Sequence, residues 1–477
     1  MVQLFISRPV ALLTLAAACL VTMGGCSMAP TYTRPDVSLP TVLGENVVGA
    51  TVPQRGALTE RERAYLTSVG AGPGLVDLVS QALASNADFS TAVTNVSLAR
   101  AAMVEQRAAM APQLNASVQA EKYGFSDSEV DALSSSSYAF GGLALTQELD
   151  FFGRALSLNS AARQRLIAGE QAQAAARTAL IREVLRTHIA LAAAKEVVGA
   201  NQVIQEDAEA SLRAIKLLQE LGSASKADVL QADFQYQEAL AATRSAEANA
   251  RNVERALALV AGFGAAPVQS STAAMAEAAR ETRVPANIPS SVLLRNPEVL
   301  AAEAKLRARN ADIGAARAAF FPSISLTGAY GKASDDLSDL FRNGATGWAF
   351  LPQIDIPIFD FGARKANLDA SWVRMQTGVK EYEASIQRAF KAASDAMDAL
   401  TVAQARSDLS LQRVADIQAR LASAGRRADA GLDDRSHVRQ LRTAAAREEL
   451  SRIQADADSS QARADLYAAL DGTDVLK

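Results

Sequence analysis

The sequence predicts a mainly α-helical chain with a small transmembrane β component, built as two repeats, and three observations carry that expectation. The fourteen prolines are absent from Gln113 to Ala266 and again from Ile358 to the C-terminus, which leaves room for very long helices. Four segments of about ten residues alternate apolar and polar side chains, the length at which a tilted strand crosses an outer membrane. The two halves of the chain align on each other through a shared set of landmark residues, and such a repeat organises everything that follows.

Composition limits the function classes. The chain has 477 residues, 49% of them apolar, with a formal charge of -4, so it can bury a large core and shows no bias toward polyanions such as nucleic acid. Its two cysteines, Cys19 and Cys26, both lie near the N-terminus, so no disulfide framework or thiolate metal site is available to the body.

Those first residues read as a secretory signal over 1–25. Met1 to Arg8 is weakly basic, Val10 to Leu20 is apolar but shorter than a membrane-spanning helix, and Gly24 and Gly25 supply small residues before Cys26. Met23-Gly24-Gly25-Cys26 resembles a bacterial lipobox with methionine where leucine is usual, so Cys26 is the expected lipidation site. Cys19 would leave with the signal, and Ser27 after the cysteine is compatible with delivery to the outer membrane. Residues 26–74 are then read as a lipid-anchored extended segment.

Repeat 1 spans 75–261 and repeat 2 spans 290–472, followed by a tail at 473–477. The landmarks keep one order: Asn86 with Asn296, Arg107 with Arg317, Pro112 with Pro322, Asp150-Phe151-Phe152-Gly153-Arg154 with Asp360-Phe361-Gly362-Ala363-Arg364, and Gly222 with Gly431. Each half reads as helix, strand, loop, strand, long helix, tight turn, helix. Between them, 262–289 holds Pro267, Pro285 and Pro289 with few large apolar residues and reads as a surface excursion.

The hairpins begin at 155 and 363. Their long helices, Ala155 to Leu221 and Ala363 to Ala430, would each run roughly 100 Å at 1.5 Å per residue. The shorter segments, Leu75 to Ala111 and Lys226 to Ala261 in the first half, laid end to end match the long helix as in a coiled-coil wall. Gly222 and Gly431 suit left-handed helix caps, and Ser225 with Asp228 forms a capping-box-like start that Asp434 repeats. Gly153 and Gly362 mark the strand-to-helix turns.

Strands are expected at 113–123, 138–149, 323–331 and 347–358. Leu114, Ala116 and Val118 share one face of the first, Leu143, Leu145 and Leu149 of the second, Ile324, Leu326 and Tyr330 of the third, and Trp348, Phe350, Ile354, Ile356 and Ile358 of the fourth. Pro352 fits a barrel strand poorly and points to a bulge or an end of pairing. Four strands cannot close a membrane barrel, which needs about eight, so copies must share one; three copies give about twelve strands and a water-filled passage.

Several motifs then add a resemblance to the TolC/OprM outer membrane factor family over essentially the whole mature chain. Pro30-Thr31-Tyr32-Thr33-Arg34-Pro35 resembles its lipoprotein leader, and Leu149-Asp150-Phe151-Phe152-Gly153-Arg154 its strand-to-helix signature. Arg255-Ala256-Leu257-Ala258-Leu259-Val260-Ala261-Gly262 resembles the end of its first repeat, and Leu466-Tyr467-Ala468-Ala469-Leu470-Asp471-Gly472 its closing sequence. The resemblance implies a homotrimer with a twelve-stranded barrel on a helical periplasmic tunnel. It also implies a periplasmic adaptor and an inner-membrane pump, commonly of the resistance-nodulation-division class, as partners in exporting small molecules. No cofactor is implied beyond the lipid on Cys26, and the chain has no glycine-rich Walker-type loop, so energy would come from the pump.

Members of the family close at the periplasmic end and often carry acidic residues there. Gly431-Leu432-Asp433-Asp434 matches that tip, which makes Asp433 the first gate candidate, with Asp434, Asp429, Arg426 and Arg427 nearby; a helix cap is the plain reading of Asp434. The sequence departs from the pattern at Arg435, Ser436, His437 and Arg439.

No catalytic constellation emerges. His188 and His437 fall in separate helices without matched cysteine or carboxylate spacing and read as surface residues, and Asp335-Asp336 and Glu448-Glu449 read as solvated faces. The rival readings are a protein-secretion duct of the same fold and a periplasmic coiled-coil structural lipoprotein without a pore. Replacing Cys26 by alanine is expected to leave the trimer assembling while loosening its membrane anchoring, measured by membrane extraction; finding wild-type Cys26 unmodified by mass analysis removes the basis for this expectation.

Overall fold

The computed structural model describes residues 29–30, 32, 56–72, 74–122, 137–262, 268, 270–282, 288–335, 337, 339–340, 342 and 345–470. The chain divides into two compact units, Met1–Val47 and Val48–Lys477, and all the described helices and strands belong to the second. Cys26, the signal segment, most of the leader motif and the loop at 124–136 lie outside the described residues.

Repeat 1 contains α2 (Gly74–Ser85), α3 (Ala87–Ala108), β1 (Gln113–Lys122), β2 (Ser137–Leu149), α4 (Arg154–Glu220) and α5 (Lys226–Ala261), preceded by α1 (Glu60–Ser68). After α6 (Thr272–Glu281), repeat 2 follows as a 3-10 turn (Ser290–Arg295), α7 (Pro297–Ala318), β3 (Ser323–Ser334), β4 (Ala345–Asp355), α8 (Ala363–Asp429) and α9 (Arg435–Ala469). Both long helices, α4 and α8, are 67 residues. Among the described residues no helix is long and apolar enough to cross a membrane.

Local chemistry sets the boundaries. The expected Leu75 to Ala111 helix is broken at Asn86, which caps α3 by accepting from the Phe89 amide at 3.0 Å and donates from Nδ2 to the Val260 carbonyl at 3.1 Å. Asn296 does the same for α7, accepting from the Glu298 amide at 2.9 Å just before Pro297. The asparagine landmarks are therefore helix starts. Asp150 accepts from the Leu156 amide at 2.7 Å and Asp360 from the Arg364 amide at 2.9 Å, so each strand-to-helix turn is held by its aspartate.

Gly153 and Gly362 both adopt left-handed backbone, with φ of 74 and 89 degrees. The second turn is one residue shorter, which shifts the repeat offset from 210 to 209 and drives Phe361 to a φ of 52 degrees.

Two readings of the N-terminal and linker segments require correction. Within the supposedly extended 26–74, α1 is helical, with a capping box between Thr59 and Glu62. It is docked by Glu62 on Arg177 at 2.6 Å and by Tyr65 stacked on Tyr467 with ring centroids 3.6 Å apart. The linker 262–289 is likewise more than a surface excursion, because α6 buries Met275, Ala276 and Ala279.

Polar bonds fasten α6 to both repeats. Thr272 donates its amide to Glu196 of α4 at 2.9 Å, and Arg280 donates to Ser407 of α8 at 2.8 Å and lies 3.5 Å from Asp456 of α9. Asp456 is fully buried, also accepts from Ser407 at 2.6 Å and pairs with Arg452; burial pushes its carboxyl above the ordinary range against the pull of Ser407 and both arginines. Apart from Met275, small side chains and ionic bonds carry this contact, so a search for runs of large apolar residues passes over it.

Elsewhere the helices pack largely through alanine, with a denser apolar cluster where α1, α2 and α5 cover α4 around Leu66, Leu75, Ile181, Leu185 and Ile189. His188 lies in this region and corrects its reading as a surface residue. It is 1% exposed, its Nε2 is 2.7 Å from Ser270 Oγ, and that hydroxyl donates to the Ala71 carbonyl at 3.0 Å. Burial, with Lys195 nearby, pushes the imidazole down to about 4.

The folded pKa of His188 lies below its ordinary value of 6.5, so its neutral form is the one the fold holds. Stability linked to it is fully present above pH 6.5 and is lost as pH falls toward 4, by an amount on the order of 3 kcal/mol. Thermal unfolding of wild type and His188→Gln between pH 7 and 4 checks this; the variant should lack that portion of the acid sensitivity.

Candidate functional site: the membrane sheet and the hairpin tips

The four strands form one antiparallel sheet in the order β1-β2-β3-β4, so the two repeats meet along the β2–β3 pair. Register runs across all four strands. Leu114, Leu145, Gly328 and Phe350 form one row, Ala116, Leu143, Tyr330 and Trp348 the next, and Leu149, Ile324 and Ile354 another on the same face. Trp348 on this face is 79% exposed, so the apolar face is not packed within its own chain.

The opposite face is small and polar. Asn115, Ala144, Ala329 and Ala349 align there, as do Ser117, Gly142, Gly331 and Gly347. Gly142 and Gly331 approach so closely that a Cβ on Gly142 would meet the Tyr330 carbonyl oxygen at 2.4 Å. Pro352 produces neither the expected bulge nor an end of pairing: it stands opposite Leu326 in unbroken register. β3 extends to Ser334, beyond the expected 331, whereas β4 ends at Asp355, leaving Ile356 and Ile358 in the extended lead to α8.

Among the described residues, nothing pairs with the outer edges of β1 and β4. One face suited to lipid, one suited to water and two open edges describe a segment of a barrel wall.

The hairpin tips lie at the far ends of α4 and α8. At the first, the Gly222 amide donates to the Gln219 carbonyl at 2.9 Å and the Ser223 amide to Leu218 at 2.8 Å. At the second, Gly431 donates to Ala428 at 3.0 Å and Leu432 to Arg427 at 2.8 Å. Both are Schellman caps, and both glycines have positive φ, 77 and 73 degrees. Ser225 and Asp228 close a capping box at the start of α5, and Asp434 caps α9 by accepting from the Ser436 amide at 3.0 Å.

The gate candidates separate into different environments. Asp433 accepts from the Asp434 amide at 2.9 Å, lies 3.1 Å from His437 Nδ1 and 3.5 Å from Arg427 Nε. Those contacts, His437 first, hold its carboxyl below the ordinary range, and hydrogen bonds from the Ser436 amide and hydroxyl do the same for Asp434. His437 is thus matched to a carboxylate four residues away, a pairing the sequence reading missed. Asp429 and Arg426 are exposed at the end of α8.

A further contact had no sequence signal. Asp207 of α4 is 3% exposed and pairs with Arg442 of α9 at 3.2 Å, tying one hairpin to the other above the tips. Burial pushes its carboxyl up, opposed by Arg442 and Thr443. Nothing in the sequence singles out this aspartate, because its partner is 235 positions away.

The family model of outer membrane efflux proteins matches the chain twice, at residues 78–263 and 288–472. The chain belongs to that family. The outer membrane protein OprJ of Pseudomonas aeruginosa is 34% identical, the alignment covering 95% of this chain and 94% of OprJ. TtgI, the toluene efflux pump outer membrane protein of Pseudomonas putida, is 33% identical over 95% of this chain and 96% of its own. Among solved structures, the open-state MtrE outer membrane channel of Neisseria gonorrhoeae superimposes with a TM-score of 0.71 at 27% identity, covering 94% of this chain and 98% of that one.

As an outer membrane efflux protein, the chain is the outer-membrane channel component of an efflux system, with its sheet as the membrane part and its long hairpins on the periplasmic side. The tip glycines have open space around them, so Gly222→Ala and Gly431→Ala should cost only the backbone strain, about 1–2 kcal/mol each. The expected result is amide exchange roughly ten-fold faster at Ser223 and Leu432 without a change in assembly, read by hydrogen exchange.

Proposed function

We propose that three copies of this chain form a passive exit duct through which small molecules, such as drugs or toxic compounds, leave the cell. The carrying observation is the four-stranded sheet with an exposed apolar face and two open edges. Lipid offers no partner for unpaired backbone groups, so each outer strand needs the outer strand of a neighbour. Two copies would close about eight strands around side chains alone, whereas three give about twelve and a wet lumen. The small row of Ser117, Gly142, Gly331 and Gly347 suits such a lumen.

The helical trunk supports the same reading. Two helices of 67 residues, each backed by shorter ones, supply wall rather than a closed globular core. The tips would meet a periplasmic adaptor and an inner-membrane pump, which provides the energy. A lipid on Cys26 would add an anchor beside the barrel. The tip of α8 and α9, with Asp433, Asp434, Asp429, Arg426 and Arg427, is the proposed constriction. Small molecules are favoured over secreted proteins by the lipobox-like start and by relatives whose names refer to toluene and solvent efflux.

Reconstitution of the full-length protein into planar bilayers is the test. Stepwise conductance that scales with trimer content is expected; a stable water-soluble monomer with no conductance would leave the scaffold reading in its place.

A further inference from the structure

The two hairpin tips differ in charge in a way the duct reading does not use. Around the first tip, Lys216 and Lys226 balance Glu220 and Asp228, and the exposed large side chains there include Leu217, Leu221, Leu230 and Phe234. Around the second, between 426 and 439, Arg426, Arg427, Arg435 and Arg439 outnumber Asp429, Asp433 and Asp434. Each second tip therefore carries an excess positive charge.

Two of the three carboxylates are engaged inside the turn. Asp433 is held by His437, Arg427 and the Asp434 amide, and Asp434 is held by the amide and hydroxyl of Ser436. Arg439 acts on Asp434 and on the buried Asp207. Arg426 and Arg435 are exposed, have no ion-pair partner among the described residues, and share the tip with Asp429 alone as an unengaged carboxylate.

The position of Arg435 is informative. It is the first residue of α9, and the first turn of that helix contains no acidic residue. A helix N-terminus favours anions and disfavours a cation, so helix stability does not account for an arginine there. Arg426, in the last turn of α8, is placed favourably for its helix and brings a second free cation to the same tip.

We propose that Arg426 and Arg435 of the second hairpin form a cationic collar at the periplasmic mouth, so that the duct admits anionic and zwitterionic solutes in preference to cationic ones. The proposal rests on the trimeric duct reading, which brings three such tips around one entrance. Charges within a Debye length of about 10 Å at 0.1 M salt act on an ion entering there, and repetition around the axis adds their fields. It replaces the expected acidic ring, because the chain's own Arg427 and His437 already engage Asp433.

The test is the reversal potential of the full-length protein in neutral-lipid planar bilayers under a potassium chloride gradient. Wild type should favour chloride, and Arg426→Gln combined with Arg435→Gln should lower the chloride-to-potassium permeability ratio by about two-fold or more, an effect that fades as salt approaches about 1 M. Both arginines are exposed, so assembly should survive; the single Arg435→Gln variant should show a smaller shift in the same direction. A wild-type preference for potassium, or a ratio unchanged in the double variant, overturns the collar and leaves the duct standing. Wild-type bilayers without conductance overturn the duct reading and the collar with it.

Discussion

The rest of the structure depends on the two unpaired edges of a four-stranded sheet that must lie in lipid. Backbone groups at an edge in water can find solvent, but in hydrocarbon each unmet group costs several kcal/mol. The sheet order places β1 and β4 outermost, so one chain presents two edges, each with unpaired donors and acceptors, that the outer strands of neighbouring copies can satisfy. In the proposed duct, closing those edges ties assembly to the folding of the membrane part. The paired β2 and β3 strands at the centre, one from each repeat, make the duplication the means by which one chain supplies a four-stranded segment of wall.

Below the sheet the constraint changes from backbone pairing to helix register. The long helix α8 packs mainly through alanine and serine, whose small side chains permit close approach but offer little to prevent sliding. Directional bonds supply what small side chains do not. Asp456 between Arg280, Arg452 and Ser407, and Asp207 on Arg442, join elements far apart in sequence at fixed heights along the bundle. Buried ion pairs contribute less net stability than their geometry suggests, and we read these as devices that set register. The α6 helix in the linker acts through the same bonds, which makes it a structural member between the repeats.

What could be read from the sequence divides along the same line. Proline-free spans, two-residue alternation and the landmark glycines and asparagines are local signals, and they led to the long helices, the four strands and the hairpin turns. The break at Asn86 was missed because an asparagine in a helical pattern has no local mark of its second bond, from its side chain to Val260. Helix α6 was missed because, apart from the single Met275, its burial comes from alanines and a threonine and from polar bonds to distant elements. His188 looked solvated because its neighbours in space, Ser270 and Ala71, are remote in the chain. At the tip, the residue types were legible but their pairing was not: only the folded turn shows Asp433 engaged by His437 and Arg427.

Duplication also explains why the tips and turns need not match. Both repeats keep the features that backbone geometry requires, namely an aspartate holding the strand-to-helix turn, a left-handed glycine and a Schellman cap at the hairpin end. Outside those points the copies have diverged. The second turn has lost one residue and holds Phe361 at positive φ, a strained conformation for a bulky side chain that the shorter turn imposes. The second hairpin tip carries Arg426, Arg427 and Arg439 where the first carries Leu217, Leu218 and Leu230. Since cap geometry is satisfied equally well in both copies, exposed tip residues that make no cap bond, such as Arg426 and Arg435, are free of the fold's demands, and the difference in charge they create is where the chain's own specificity is to be sought.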